Sequence, residues 1–233
     1  MNQAILLREM IEHVALALGP ALLEEVAFVG GCTTALLLTD PFSLEQVRHT
    51  DDVDLIVHVV GYVGWAALQT KLRAQGFHEE INDDPICAMK LGQLRVDFMP
   101  DDPRILGFSN IWYVEALRDA EKYQLTPEVV IRLVKPAHFV ATKLEAYLGR
   151  GNNDPLASRD IEDILSLFNG RDTIVAELAQ ASRSLRSYVG AQFEHLLFDR
   201  SFEFAVQDAA GGDVGREKLI FERLNAVISG ALL

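Results

Sequence analysis

The chain is poor in the residues that build zinc sites and disulfide frameworks. Its 233 residues include only two cysteines, Cys32 and Cys87, and six histidines without the short spacings of a histidine metal site. Two isolated cysteines without clustered histidines do not form a zinc site of the usual kind. A disulfide between them is disfavoured, because the thiols of a cytosolic protein stay reduced.

Long apolar runs are also missing. A membrane-spanning helix needs about 18 or more consecutive apolar residues, and no such stretch occurs. A secretory signal needs a basic start and then an uninterrupted apolar stretch, but residues 1–19 carry Arg8, Glu9 and Glu12. We therefore expect a cytoplasmic protein that does not enter a membrane.

Basic residues are outnumbered by acidic ones. The chain has 21 Lys and Arg against 34 Asp and Glu, which gives a formal net charge of −13. Proteins that grip long nucleic acids usually present a broad basic surface, so wide contact with RNA or DNA is disfavoured. The segment from Arg132 to Arg159 is an exception, with five basic and two acidic residues. A local cationic patch there would suit a triphosphate better than a duplex.

Apolar periodicity predicts an α+β fold. In the first half, apolar spacing and Gly or Pro breaks indicate helices over residues 3–18, 33–38 and 61–75, and strands over 26–29, 53–60, 86–91, 94–99 and 129–134. After Pro136 the pattern indicates helices over 137–149, 158–169, 171–197 with a break, and 214–230. We therefore predict a mixed β-sheet with flanking helices in a domain of residues 1–135, followed by a mostly helical domain of residues 136–233.

Two aspartates stand at the start of the strand predicted for residues 53–60. Side chains two residues apart in a strand point to the same face, so Asp52 and Asp54 are expected to project together. Adjacent carboxylates repel each other, and burying them costs several kcal/mol unless a cation compensates. Sites made of carboxylates favour hard cations such as Mg²⁺. The alternative is a polar turn at Asp51-Asp52 with an exposed Asp54.

Two further features favour the metal interpretation. Gly30-Gly31 follows the strand predicted for residues 26–29, and glycines there would let backbone N–H groups approach a phosphate closely. A simple turn is the alternative. Asp97 lies inside the apolar strand predicted for residues 94–99, where a carboxylate needs a partner. That partner would be a shared metal ion or a salt bridge to Arg95.

The order of these motifs resembles the nucleotidyltransferase superfamily that includes DNA polymerase β. The shared pattern is Gly-Gly after a strand, then Arg-x-Thr-x-Asp-h-Asp-h over residues 48–55, where h is apolar, and a lone Asp on a later strand. The rear half is similar to a block of the AbiEii/AbiGii-type toxin nucleotidyltransferases. That block is PAHFVATKLEA at residues 136–146, then Arg150 and SRDIEDI at residues 158–164. The likeness covers roughly residues 24–170.

This resemblance implies a Mg²⁺-dependent enzyme that transfers a nucleoside monophosphate from a nucleoside triphosphate to an acceptor hydroxyl. Asp52 and Asp54 would bind Mg²⁺, and Asp97 would complete the metal site and help to deprotonate the acceptor. The triphosphate would meet Gly30, Gly31, Thr33 and Lys143, and Asp160 would be the polar element of the helical block. Cys32 departs from the Ser, Thr or Ala that the family more often has after the second glycine.

The acceptor and the roles in the helical half have alternatives. In the toxin branch the acceptor would be the 3′ end of a transfer RNA, and an antitoxin protein would be a partner. The acidic composition favours instead a small cationic acceptor of the aminoglycoside kind. A non-catalytic module that binds nucleotide or a partner is the third hypothesis. Lys143 and Arg150 would otherwise pair with acidic neighbours, and Asp160 would stand in the first turn of a helix capped by Ser158.

Overall fold

A computed structural model describes residues 3–79, 86–150 and 153–231, and it confirms the α+β fold class. The chain divides into two compact units. The first comprises Met1–Ala35 and Arg48–Lys135, and the second comprises Leu36–Val47 and Pro136–Leu233. None of the helices in the described ranges has the length and apolar character needed to cross a lipid bilayer.

The helices and strands are numbered in chain order. The strands are β1 (Val26–Val29), β2 (Asp52–Val57), β3 (Ala88–Leu91), β4 (Leu94–Pro100), β5 (Glu121–Gln124) and β6 (Val130–Leu133). The helices are α1 (Gln3–Leu23), α2 (Thr34–Leu37), α3 (Pro41–Glu45), α4 (Gly61–Ala74), α5 (Pro103–Leu106), α6 (Tyr113–Asp119), α7 (Pro136–Arg150), α8 (Arg159–Gly170), α9 (Ile174–Gln180), α10 (Arg183–Leu196), α11 (Arg200–Ala209) and α12 (Val214–Ala231). A short 3-10 turn, Gly31–Thr33, precedes α2.

The first unit is built on one mixed sheet with the strand order β3-β4-β2-β1-β6-β5. The central pairs β2–β4 and β1–β6 are parallel, whereas β1–β2, β3–β4 and β5–β6 are antiparallel. Phe28, Phe77 and Phe98 are fully buried in the core of this unit, and the rings of Phe77 and Phe98 meet edge to face at 5.3 Å. The apolar strands therefore hold β2 and β4 firmly beside each other.

Several elements differ from the expectation. The strand predicted for residues 53–60 ends at Val57, and residues Pro41–Glu45, for which no helix was predicted, form α3. Strand β5 was not predicted because three of its four residues are exposed and it has no apolar run. Helix α11 was also missed. Helix α1 is interrupted where expected, because Gly19 has non-helical backbone angles of φ 69° and ψ 169°.

The second unit consists of helices, including α3, which precedes the sheet strand β2 in the chain. The backbone amides of Thr39 and Asp40 donate to the carbonyl of Gly170 at 2.9 and 3.0 Å. The guanidinium of Arg171 donates to the carbonyl of Leu37 at 2.6 Å. These hydrogen bonds attach residues 36–47 to the C-terminal end of α8.

Candidate functional site

The register of β2 and β4 places four charged side chains on one face of the sheet. In this parallel pair Asp52 lies beside Arg95, and Asp54 lies beside Asp97. Because alternate residues of a strand share a face, all four side chains project to the same side. One carboxylate oxygen from each of Asp52, Asp54 and Asp97 lies within 4.8 Å of the others. The three aspartates identified in the sequence are thus brought together.

Each end of this cluster has a polar neighbour. The hydroxyl of Thr50 donates to Asp52. Arg95 forms a two-pronged contact with Asp97, with Nε 2.9 Å from Oδ1 and Nη2 3.2 Å from Oδ2. The sequence left two partners open for Asp97, a shared metal ion or a salt bridge to Arg95. In the structure Asp97 forms the salt bridge and also lies close to the other two carboxylates.

The donor set fits a hard divalent cation. Three half-buried carboxylates offer only oxygen ligands, which is the set that Mg²⁺ and Mn²⁺ prefer. Bringing three negative charges this close is unfavourable unless positive charge compensates them, as Arg95 does at Asp97 and as a bound cation would do for the whole cluster. The cluster is therefore suited to bind a cation between β2 and β4.

Gly30 is required by the position of Asp54. Its φ of +80° lies in the region that L side chains rarely adopt, and an added Cβ would stand 1.8 Å from Oδ2 of Asp54. The backbone at Gly30 therefore passes directly against a carboxylate of the cluster. This close approach is the physical reason for a glycine between β1 and the 3-10 turn.

The residues after Gly30 close a tight turn. The hydroxyl of Thr33 donates to the carbonyl of Gly30 at 2.8 Å, and Gly31, Cys32 and Thr33 are buried. The thiol of Cys32 lies 3.4 Å from the carbonyl of Val29. In this structure Thr33 stabilises the turn next to the aspartate cluster, and the phosphate contacts of Gly30, Gly31 and Thr33 stay predictions.

Lys143 and Asp160 belong to the second unit, where they contact each other. Lys143 Nζ is 3.1 Å from Asp160 and 2.6 Å from Asp163, and these side chains are 8, 6 and 1 % exposed. Arg150 adds two hydrogen bonds to Asp160, at 3.0 and 3.1 Å. This ion cluster joins α7 to α8. Lys143 and Arg150 do pair with an acidic neighbour, which was the alternative to a phosphate contact, but Lys143 is buried in doing so.

Opposing effects act on the pKa of Asp160. Burial raises it, whereas the charge of Lys143 and the hydrogen bond from Arg150 lower it, and the net result lies below the usual value. Asp160 stands in the first turn of α8, and the side chain of Ser158 accepts from the amide of Ile161 as the helix cap. The cap expected at Ser158 is confirmed. A contact of Lys143 or Asp160 with phosphate stays a prediction.

Four of the five basic side chains between Arg132 and Arg159 have contacts within their own unit. Arg132 donates to the backbone carbonyls of Glu24 and Leu117, and Lys135 pairs with Glu121 at 3.0 Å. Lys143 and Arg150 are engaged by Asp160 as described above. The positive charge of this segment is therefore largely used in contacts within each unit.

Two neighbours of the predicted residues received no role from the sequence. Asp163 follows Asp160 by three residues on α8, a spacing that puts both on one helix face and could have indicated a shared partner. Thr50 precedes Asp52 by two residues, so a hydroxyl next to that carboxylate was also visible in the pattern. Both side chains are buried, and each contacts a predicted site residue: Thr50 contacts Asp52, and Asp163 contacts Lys143.

No protein-family model matches the chain, and no curated protein matches it. The function must therefore be argued from the site itself.

Proposed function

We propose that this protein is a Mg²⁺-dependent nucleotidyltransferase that moves a nucleoside monophosphate from a nucleoside triphosphate to an acceptor hydroxyl. The observation that carries the proposal is the convergence of Asp52, Asp54 and Asp97 within 4.8 Å on two adjacent strands. The Gly30-Gly31 turn lies against this cluster and brings backbone close to it. The resemblance of the sequence motifs to nucleotidyltransferases supports the same conclusion.

The reaction needs positioned charge rather than a covalent nucleophile. The acceptor oxygen attacks the α-phosphorus, the bond to the β-phosphate oxygen breaks, and pyrophosphate leaves. Catalysis of such a transfer consists mainly of orientation and charge stabilisation. Bound Mg²⁺ would supply charge stabilisation at the attacking and leaving oxygens. Asp52 and Asp54 would hold it.

Asp97 is the candidate acceptor of the hydroxyl proton. Each carboxylate oxygen has two lone pairs, and the fork of Arg95 uses one on each oxygen. A carboxylate can accept such a fork and still bind a metal ion or a proton through its other lone pairs. Asp97 therefore fits both the ligand role and the base role that the motif resemblance implies.

The phosphates of the nucleotide would be contacted by the Gly30-Gly31 turn and by Lys143. Backbone N–H groups at Gly30 and Gly31 would approach the phosphates, with Thr33 holding the turn in shape. Lys143 would neutralise phosphate charge, and Asp160 would hold Lys143 in place. Because Lys143 already contacts two buried carboxylates, this role requires it to share its ammonium between them and the nucleotide.

Two acceptor classes fit different observations. The motif resemblance favours the 3′ end of a transfer RNA, with an antitoxin protein as the neutralising partner. The net charge of −13 favours a small cationic, hydroxylated acceptor such as an aminoglycoside. The two classes predict different labelled products, so one assay separates them.

The test is transfer of label from each of four α-³²P nucleoside triphosphates with Mg²⁺. Total cellular RNA and an aminoglycoside serve as separate acceptors. The wild type is compared with Asp52→Asn and with Asp51→Asn, which removes the adjacent exposed carboxylate that pairs with His49 outside the cluster. We expect transfer with the wild type and Asp51→Asn, and none with Asp52→Asn. Equal transfer by Asp52→Asn would refute the proposal, and nucleotide binding without pyrophosphate release would favour a non-catalytic module.

A further inference from the structure

Arg95 occupies a distinctive position in the aspartate cluster. It lies between Asp52 on β2 and Lys90 on β3 in the register of the sheet. Like charges directly opposite each other on neighbouring strands repel, and opposite charges attract. This register favours a guanidinium that points away from Lys90 and towards the carboxylates.

The contact of Arg95 uses the same atoms that a metal ion would use. Its Nε and Nη2 each reach a different oxygen of Asp97, at 2.9 and 3.2 Å. A planar fork on both oxygens is the strongest form of the Arg–carboxylate contact. A cation that takes Asp97 as a ligand must share these oxygens with Arg95 or displace it.

Exposure differs between the two partners. The side chain of Arg95 is 32 % exposed, whereas that of Asp97 is 13 % exposed. Arg95 is therefore the more exposed member of the pair, and a change of its rotamer would move it towards solvent, whereas Asp97 lies deeper in the cluster.

We propose that Arg95 is an internal counter-ion that competes with the divalent cation for Asp97 and thereby lowers the metal affinity of the nucleotide-free protein. This inference rests on the metal site of the proposed function. Arg95 is a positioning residue here, because it acts on the cation through Asp97. It would keep the site from filling with metal before the triphosphate, which brings negative charge of its own, is bound.

The test is calorimetric titration of the nucleotide-free protein with Mn²⁺. The variants are Arg95→Gln, which removes charge and fork, and Arg95→Lys, which keeps the charge but loses the fork. The matched control is Arg104→Gln, since Arg104 also makes a fork on both carboxylate oxygens of an aspartate, Asp102, outside the cluster. We expect Arg95→Gln to bind Mn²⁺ about tenfold more tightly than the wild type, because a unit charge close to the ion is removed. Arg95→Lys should lie between the two, and Arg104→Gln within about twofold of the wild type.

The double variant with Asp52→Asn and Arg95→Gln shows whether Mn²⁺ binds in the aspartate cluster. Loss of the tight Mn²⁺ binding in this double variant would assign the gain to the cluster. If the wild type binds Mn²⁺ through Asp52 but Arg95→Gln binds it equally or more weakly, the inference about Arg95 is wrong and the metal site stands. If neither the wild type nor Arg95→Gln binds Mn²⁺, both the inference and the metal site are wrong.

Discussion

Replacing Lys143 by methionine tests how the ion cluster between α7 and α8 contributes to stability. The change keeps an apolar side chain of similar length but removes the ammonium that contacts Asp160 and Asp163 at 3.1 and 2.6 Å. Removing one partner of a buried ion pair costs about 3–5 kcal/mol, since it leaves buried charge uncompensated. Arg150 still contacts Asp160, so we expect a loss near the lower end, about 3 kcal/mol at pH 7.

The same variant has a defined pH dependence. The pKa of Asp160 is lowered in the folded protein, so its contribution to stability is present above the usual carboxyl range and is lost as the pH falls through the lowered pKa. Without Lys143 that contribution is smaller at neutral pH. The difference in the free energy of unfolding between wild type and variant should therefore shrink on acidification.

Urea unfolding followed by far-UV circular dichroism measures these differences. The matched control is Lys218→Met, because Lys218 is 76 % exposed and pairs with Glu222 at 3.5 Å on the surface of α12. Such an exposed pair contributes about 0.5 kcal/mol or less. A loss for Lys143→Met below about 1 kcal/mol, similar to that of a surface pair, would refute the reasoning. It would also favour a direct role of Lys143 at the nucleotide over a structural one.

Three further outcomes follow from the site and its surroundings. Gly30→Ala should weaken Mn²⁺ binding at least tenfold in calorimetry, because the new Cβ would stand 1.8 Å from Asp54 Oδ2. Gly76→Ala is the control for backbone strain, since Gly76 also has a positive φ, +92°, but open space around it. Asp54→Asn should raise the melting temperature in EDTA by about 2–4 °C, since relief of carboxylate repulsion is worth about 1 kcal/mol; a lower melting temperature would contradict this. Burial is the main cause that raises the pKa of the Cys87 thiol to about 12, and the charge of Asp97 adds to it, while Cys32 is fully buried. Ellman's reagent at pH 8 should therefore label both thiols only after unfolding. Rapid labelling of the native protein would contradict this.

The sequence predicted the candidate cluster because each of its parts has a local signal. Alternation along β2 placed Asp52 and Asp54 on one face, and the apolar neighbours of Asp97 marked it as a carboxylate that needs a partner. The register that sets Asp54 beside Asp97 had no such signal, since it depends on a parallel pairing between strands far apart in the chain. Only the structure shows that Arg95 and the other two aspartates meet at Asp97.

Other elements were missed for different physical reasons. Strand β5 is held by its pairing with β6 and not by an apolar face, so its sequence gave no periodicity. Residues 36–47 join the second unit through hydrogen bonds to Gly170 and Arg171, which no local pattern can indicate. Helix α11 did carry a signal, because Phe202, Ala205 and Val206 have helical spacing after the cap at Asp199.

The local sequence around Lys143 did not determine its contacts. Its sequence context allowed either a phosphate contact or an ion pair on a solvated helix face. The packing of α7 on α8 buries the side chain between two carboxylates, which is a third arrangement. Burial of this kind is set by tertiary contacts, and the sequence pattern did not distinguish it.

Binding of Mn²⁺ in the presence of a non-hydrolysable α,β-methylene nucleoside triphosphate tests the central claim most directly. Electron paramagnetic resonance of free Mn²⁺ would be compared for wild type, Asp54→Asn and Asp51→Asn. We expect the wild type and Asp51→Asn to deplete free Mn²⁺ beyond the depletion by the triphosphate without protein, and Asp54→Asn to add nothing to it. Equal depletion by Asp54→Asn would show that Asp52, Asp54 and Asp97 do not hold the metal that accompanies the nucleotide.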